Sequence, residues 1–154
     1  MTVCIVSCKS ELKKQGHGLD DLNTLVSLQK SHSNKKIGEY LDQFEGWRLF
    51  YKDPVKGYSW GYNSRGPSST HMNFELRLDV LNANQEFKLL VTFSNENLRT
   101  RYLYQISTDT SFRLIDKMNI YDEETRYYSG KGRTIIFDRH NDGMYFLSIE
   151  PGKE

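Results

Sequence analysis

The chain of 154 residues has almost no excess charge, because 21 lysines and arginines stand against 20 aspartates and glutamates, for a formal net charge of +1. A dedicated nucleic-acid binder ordinarily carries a basic excess that neutralises phosphates and releases counterions. The composition therefore argues against a protein whose whole surface is dedicated to nucleic-acid binding. It argues equally against an acidic protein that mimics nucleic acid. Local basic patches leave RNA open as a partner.

The sequence also lacks a long hydrophobic run. No apolar stretch approaches the roughly 20 residues that a membrane-spanning helix needs. The first eight residues have no cationic start, and their apolar stretch is too short for a signal peptide. We therefore expect a soluble, cytoplasmic protein without a membrane partner.

Cysteine is scarce, with only Cys4 and Cys8 in the chain. If both lie on one strand they are about 13 Å apart, which is too far for a disulfide. We therefore favour the interpretation that both cysteines are free thiols in a reducing compartment. A metal site that adds His17 and His32 would follow no known zinc spacing, so we expect no metal.

Familiar catalytic motifs are missing. The sequence has no P-loop, no Gly-x-Gly-x-x-Gly after a strand, no His-Glu-x-x-His, no Gly-x-Ser-x-Gly and no EF-hand loop. This disfavours cofactor-dependent catalysis, and we expect no cofactor. It says little about small nucleases or binding proteins.

What the chain does have is alternation. From His71 to Val80 every second residue is apolar, which is typical of a strand with one face in a core. Similar segments joined by turn-length links predict antiparallel neighbours, since parallel crossovers need a dozen or more residues. The predicted strands are 47–52, 71–80, 87–93, 99–107, 113–121, 133–138 and 144–149.

The first 46 residues show a different pattern. Thr2 to Ser7 predicts a short strand. Apolar residues at helical spacing predict one helix over Leu19–Gln29 and a second that begins at Ser33 or Asn34 and ends at Gly46. A short helix needs tertiary packing, so the apolar stripes are expected to dock on the sheet.

These elements predict a single α+β domain over residues 1–154, with strand and helices in 1–46 and antiparallel strands in 47–154. We expect a curved sheet, sandwich or partial barrel of six to eight strands, with the two N-terminal helices packed on it. The segments 113–121 and 133–138 are apolar on both sides in places, which predicts central strands.

Residues 53–70 form one long irregular stretch that is unusually aromatic. Tyr58, Trp60 and Tyr62 alternate with glycine, serine and asparagine, the chemistry of adaptable recognition loops. The competing interpretation is a hairpin whose rings face the core, and period two fits it slightly better. On the first interpretation the binding residues are Tyr58, Trp60, Tyr62, Arg65, His71, Arg101, Lys131 and Arg133.

A catalytic alternative uses the polar side of the 71–80 strand. Metal-independent phosphodiester cleavage needs a base, an acid and a cation around one phosphate, and Glu75, Arg77 and His140 supply these groups. These side chains would have to meet around one phosphate, and residues of a single strand cannot provide that arrangement. A solvated face with charge pairs across strands is the favoured interpretation.

A third group of residues, which we call the basic and aromatic constellation, combines positively charged and aromatic side chains. Its members are Arg99, Arg101, Tyr102 and Tyr104, then Arg126, Tyr127 and Tyr128, then Lys131 and Arg133. Rings that stack bases beside cations that hold phosphates are how sheets bind single-stranded RNA. Strand alternation would put Arg101 and Tyr102 on opposite faces, and the segment around Gly132 lacks the aromatics of an RNA-recognition motif. Structural use is favoured.

We therefore expect a non-catalytic binding module that recognises a macromolecular partner, with a protein as the expected partner, in the manner of an inhibitor, an immunity protein or an adaptor. The alternative is a small metal-independent ribonuclease or RNA-binding protein that uses Glu75, Arg77 and His140. The oligomeric state and the partner's identity stay open.

Overall fold

The computed structural model describes residues 12–63, 74–83, 86–120, 123–140 and 142–152, and within them an α+β fold. Three helices and eight strands follow the chain in this order: α1 (Leu22–Lys30), α2 (Asn34–Leu41), β1 (Trp47–Asp53), β2 (Gly57–Tyr62), β3 (Leu76–Ala83), β4 (Glu86–Phe93), α3 (Glu96–Thr108), β5 (Phe112–Ile120), β6 (Glu123–Gly130), β7 (Arg133–Arg139) and β8 (Tyr145–Pro151). The predicted strand at Thr2–Ser7, both cysteines and the start of the predicted 71–80 strand lie outside the described residues.

All eight strands form one antiparallel sheet in the order β1-β2-β3-β4-β8-β7-β6-β5. The first four strands make one meander and the last four make another, and β4 pairs with β8 where the two meet. β1 and β5 are the two edges, so the sheet is open. This corrects the expectation of a sandwich or partial barrel, while the antiparallel α+β class is confirmed.

One face of the sheet carries the core. The register aligns Leu78 on β3 with Trp60 on β2 and Val91 on β4, and Val91 with Leu147 on β8. These residues and their period-two neighbours form one buried cluster with the apolar sides of the helices. We call this side of the sheet the covered face and the other side the open face.

Side-chain caps and one buried amide fix the helices. Asp21 accepts a hydrogen bond from the Asn23 backbone N–H at the start of α1, and Ser33 does the same for Lys36 at the start of α2. Gln29 Nε2 donates to the Phe87 carbonyl at 2.7 Å, which joins α1 to β4.

The segment 99–107, predicted as a strand, is helix α3. Its buried residues Leu98, Tyr102 and Ile106 lie four apart, and the Asn95 side chain caps the helix by accepting from two backbone N–H groups. The sequence prediction failed because the short polar and aromatic alternation within 99–107 hid this longer spacing. The fold therefore has a third helix, which links β4 in the centre to β5 at the edge.

The strand predictions for the second half need two further corrections. β7 lies between β6 and β8 as predicted for a central strand, but β5 is an edge. The apolar residues Leu114, Ile115 and Met118 of β5 are 53%, 52% and 42% exposed, and a register shift between Leu114 and Asp116 explains why they occupy both sides. β6 is a strand that the sequence did not predict, because Glu123 and Glu124 at its start resemble turn residues.

Candidate functional site

The open face has a partly apolar centre that also contains the carboxylate of Asp138. One cross-strand row runs through β2, β3, β4, β8, β7 and β6, and its residues are Ser59, Asp79, Leu90, Ser148, Ile136 and Tyr127. The next row contains Arg77, Thr92, Phe146, Asp138 and Thr125. Leu90, Ile136 and Phe146 are half-buried, although the described helices pack on the other face. Hydroxyl and apolar side chains therefore share the centre.

At the β1–β3 end of the open face the polar side chains satisfy one another. Asp79 is only 4% exposed, and it accepts hydrogen bonds from Ser59 Oγ and from Arg77 Nε at 2.9 Å. The Arg77 guanidinium lies 5.3 Å from the Phe50 ring centroid, and Phe50 stacks on Phe74 with centroids 4.8 Å apart. A buried charge with this set of partners is a structural network.

Within the aromatic stretch 53–70, for which the sequence left a recognition loop and a core-facing hairpin open, residues 57–62 form strand β2. Trp60 is 6% exposed and lies in the core cluster, which fits the competing hairpin interpretation. Tyr58 stacks on it with ring centroids 5.8 Å apart, and Tyr62 packs against Trp47 at 5.4 Å. Arg65 and His71, also predicted to bind, lie outside the described residues.

A groove opens where β1 and β2 meet α2. Its volume is about 360 Å³. Trp47 and Trp60, which are 9% and 6% exposed, and the half-buried Tyr58 form its floor. The other lining residues are Asn34, Lys35, Gly38, Glu39, Asp42, Leu49 and Lys52. Tyr58 and Trp60 were predicted as binding residues, and the structure brings them together here.

A second groove, of about 420 Å³, lies between α3 and β6. Arg99, Tyr104, Arg126 and Tyr128, all members of the basic and aromatic constellation, line it. Hydrogen bonds from Lys117 and Arg126 lower the pKa of Glu124. The ionised Glu124 therefore neutralises Arg126, whose Nε lies 2.6 Å from its Oε1.

Arg99 in the same groove is also paired. Its Nη1 donates to Glu96 Oε1 at 2.7 Å, and hydrogen bonds from Tyr145 and Arg99 lower the pKa of Glu96. The groove thus holds the expected residue types but has little unneutralised charge.

The remaining predicted binding residues are dispersed, and each has a local partner. Arg101 donates to Asp20 at 2.8 Å, and Lys131 donates to Asn23 at 2.7 Å. Arg133 Nη1 donates to the Gly132 carbonyl at 2.6 Å.

The alternative catalytic residues have separate partners. Glu75 accepts from Asn63 Nδ2 at 2.7 Å, and Arg77 pairs with Asp79. His140 Nδ1 lies 3.7 Å from Glu123 Oε1, and its ring packs on Phe146 with centroids 4.6 Å apart. Within the described ranges, no hydrogen bond or ion pair joins Glu75, Arg77 and His140.

No cluster of three or more His, Cys, Asp or Glu side chains is placed to hold a metal ion in the part of the chain that the structure describes. Among the same residues, no helix is long and apolar enough to cross a membrane.

Sequence reasoning missed the α2 half of the first groove. The apolar stripe of α2 predicts only a face that docks on the sheet, and no pattern in the sequence indicates a role for Gly38, Lys35 or Lys52. A glycine in the middle of an otherwise regular helix was the signal that could have found it, because glycine is unfavourable there unless something else requires it.

Comparisons of the chain with protein-family models, with curated proteins and with solved structures find no match.

Proposed function

We propose that this protein is a non-catalytic binding module that recognises a protein partner through the open face of its sheet, as an inhibitor, an immunity protein or an adaptor does. The composition of that face carries the proposal. Half-buried Leu90, Ile136 and Phe146 lie among serine and threonine hydroxyls on the central strands. Protein interfaces combine such an apolar centre with neutral hydrogen-bonding groups.

The charges on the open face favour a protein over RNA. Arg77 is paired with Asp79, and Lys88 lies 3.2 Å from Glu150 and 3.1 Å from Glu86. Paired cations offer phosphates little net attraction, whereas neutral surfaces suit protein partners.

One observation supports the alternative of RNA binding. The groove between α3 and β6 collects two arginines and two tyrosines, the types that hold phosphates and stack bases. It ranks second because both arginines are ion-paired with glutamates. The ribonuclease form of the alternative gains no support from the positions of Glu75, Arg77 and His140.

The test compares Leu90→Glu, at the centre of the open face, with Leu114→Glu, on the covered side of the edge strand β5. We expect Leu90→Glu to reduce capture of a specific partner from extracts of the native cell by about tenfold or more, because a charge in an apolar interface centre lacks a partner. Leu114→Glu should capture as wild type does, since Leu114 is 53% exposed and away from that centre.

Thermal unfolding of both variants controls for loss of fold, and ribonuclease treatment of the extract separates the two candidate functions. Equal capture by Leu90→Glu and wild type would contradict the open-face proposal. Capture that disappears after ribonuclease treatment would support RNA binding instead.

A further inference from the structure

We infer that the groove between α2, β1 and β2 is a second recognition site, which binds an extended peptide segment carrying an acidic residue, a central aromatic residue and a basic residue. We call it the α2 groove. It goes beyond the proposed function, because it lies on the covered side of the sheet at the β1 edge and not on the open face.

The floor of the α2 groove is rigid and aromatic. Trp47 Nε1 donates to the His17 carbonyl at 2.9 Å, which fixes that ring, and Tyr58 stacks on Trp60 with an interplanar angle of 19°. Leu49 adds an apolar wall that is 47% exposed. Pre-ordered aromatic surface binds a partner at low cost in side-chain entropy.

Gly38 supports a role beyond packing. Glycine is among the least favourable residues inside a helix, yet Gly38 lies in the middle of α2 and is not among the described glycines with a positive φ. A Cβ at this position would lie 3.8 Å from Trp60 Cζ2, an ordinary contact, so alanine would fit. The fold does not require the glycine, whereas a methyl group would narrow the groove beside the small part of Trp60, 6% of its surface, that is exposed.

The charged rim of the α2 groove has a direction. α2 leads into β1 through residues 42–46, and Gly38 faces Trp60, whose partner on β1 is Leu49. Helix and strand are therefore antiparallel, with the start of α2 beside the end of β1. Lys35 and Lys52 consequently share one end of the groove, and Asp42 lies at the other. Glu39 lies 3.7 Å from Lys35, but both side chains are largely exposed, and such surface pairs are weak because solvent screens them.

This arrangement fits a peptide better than a nucleic acid or a purely apolar ligand. A carboxylate belongs at the Lys35 and Lys52 end and an ammonium near Asp42. In the middle, a ring belongs against Tyr58 and Leu49, beside the small exposed edge of Trp60. α2 is about 12 Å long from its eight residues. The first and fifth residues of an extended peptide are separated by about 13 Å, so five residues span the groove.

The test uses the synthetic peptide acetyl-Glu-Ser-Trp-Ser-Lys-amide, with a peptide that has alanine in place of tryptophan as its matched control. Titration calorimetry measures affinity, and ¹⁵N NMR follows the Gly38 amide and the Trp47 and Trp60 indole N–H groups. We expect these resonances to shift with the tryptophan peptide, and the alanine peptide to bind about tenfold more weakly or worse.

Two protein variants test the geometry independently of folding. Gly38→Leu should weaken binding by about tenfold or more while the protein keeps or gains thermal stability, because leucine favours the helix but covers the floor. The double variant K35E/K52E should exchange specificity, so that acetyl-Lys-Ser-Trp-Ser-Lys-amide becomes the better ligand. K36E, an exposed change on the same helix outside the groove, is the control and should bind as wild type does.

Equal affinity for the tryptophan and alanine peptides would overturn the inference, as would unchanged binding in Gly38→Leu. So would a dimer of this chain that Gly38→Leu dissociates, or peptide binding that appears only after residues 1–11 are removed, since a second copy or the protein's own chain would then occupy the groove. None of these outcomes bears on the open face, which Leu90→Glu tests separately.

Discussion

The two faces of this sheet are built from the same strands under different constraints. On the covered face, Leu78, Leu89 and Leu147 are fully buried under the helices, so their identity follows from the core. On the open face, Leu90 and Phe146 keep part of their surface in solvent. Stability therefore accounts for the apolar residues of the covered face but gives no equally strong structural reason for those of the open face.

Removal of one aromatic ring from each face tests this difference most directly. Trp60→Ala on the covered face should lower the free energy of unfolding by about 3–5 kcal/mol, because a cavity replaces a buried ring. Phe146→Ala on the open face should cost only about 1–2 kcal/mol, because that ring already contacts solvent. Urea denaturation of both variants measures the difference.

This outcome would also decide how Trp60 acts. Similar costs at the two positions would mean that the open face is as much a core as the covered one, and the face-based proposal would lose its basis. A small cost for Trp60→Ala would instead contradict the core position of Trp60, which is 6% exposed.

A second prediction concerns the buried polar group of the open face. Asp79→Asn keeps the shape of the side chain but removes the charge that accepts hydrogen bonds from Ser59 and Arg77, which should cost about 1–3 kcal/mol. Asp116, at the β5 end of the same cross-strand row, is exposed, so Asp116→Asn should change stability by less than about 0.5 kcal/mol. Denaturant titration compares the two.

An equal change in unfolding free energy for Asp79→Asn and Asp116→Asn would show that the burial of Asp79 adds nothing to its contribution to stability. A larger loss of unfolding free energy for Asp79→Asn would support the network around Arg77 and Phe50. It would not test the apolar centre of the open face.

How far the sequence predicts this fold depends on whether local spacing and burial agree. Alternation in 87–93 reports burial directly, because Phe87, Leu89, Val91 and Phe93 all face the core on a central strand. In 99–107 the alternation does not report burial, because this segment is a helix that buries Tyr102 and Ile106 at a spacing of four. In 113–119 the bulge shifts the pattern, and apolar residues at an edge resemble those of a buried strand.

The candidate sites were predictable only in part. Tyr58 and Trp60 could be predicted as binding residues, because tyrosine and tryptophan among small polar residues are typical of recognition surfaces. The contribution of α2 to their groove was not, since it depends on how a helix some 20 residues earlier packs against β2. Convergence across such distances is a property of topology, which local patterns do not contain.

The smallest predicted effect lies outside both faces, at the ion pair between Asp109 and Lys131, which joins the end of α3 to the β6–β7 turn. The Lys131 ammonium, 2.5 Å away, and the Ser111 hydroxyl donate to Asp109 and lower its pKa from 3.8 to about 2. A carboxyl whose pKa is lower in the folded than in the unfolded protein adds stability above the unfolded pKa, and the protein loses it as the pH falls through the folded pKa. The melting temperature of wild type should therefore fall more steeply between pH 4 and pH 2 than that of Asp109→Asn, and Lys131→Met should also flatten the curve. Parallel curves for all three proteins would mean that solvent screens this exposed pair completely.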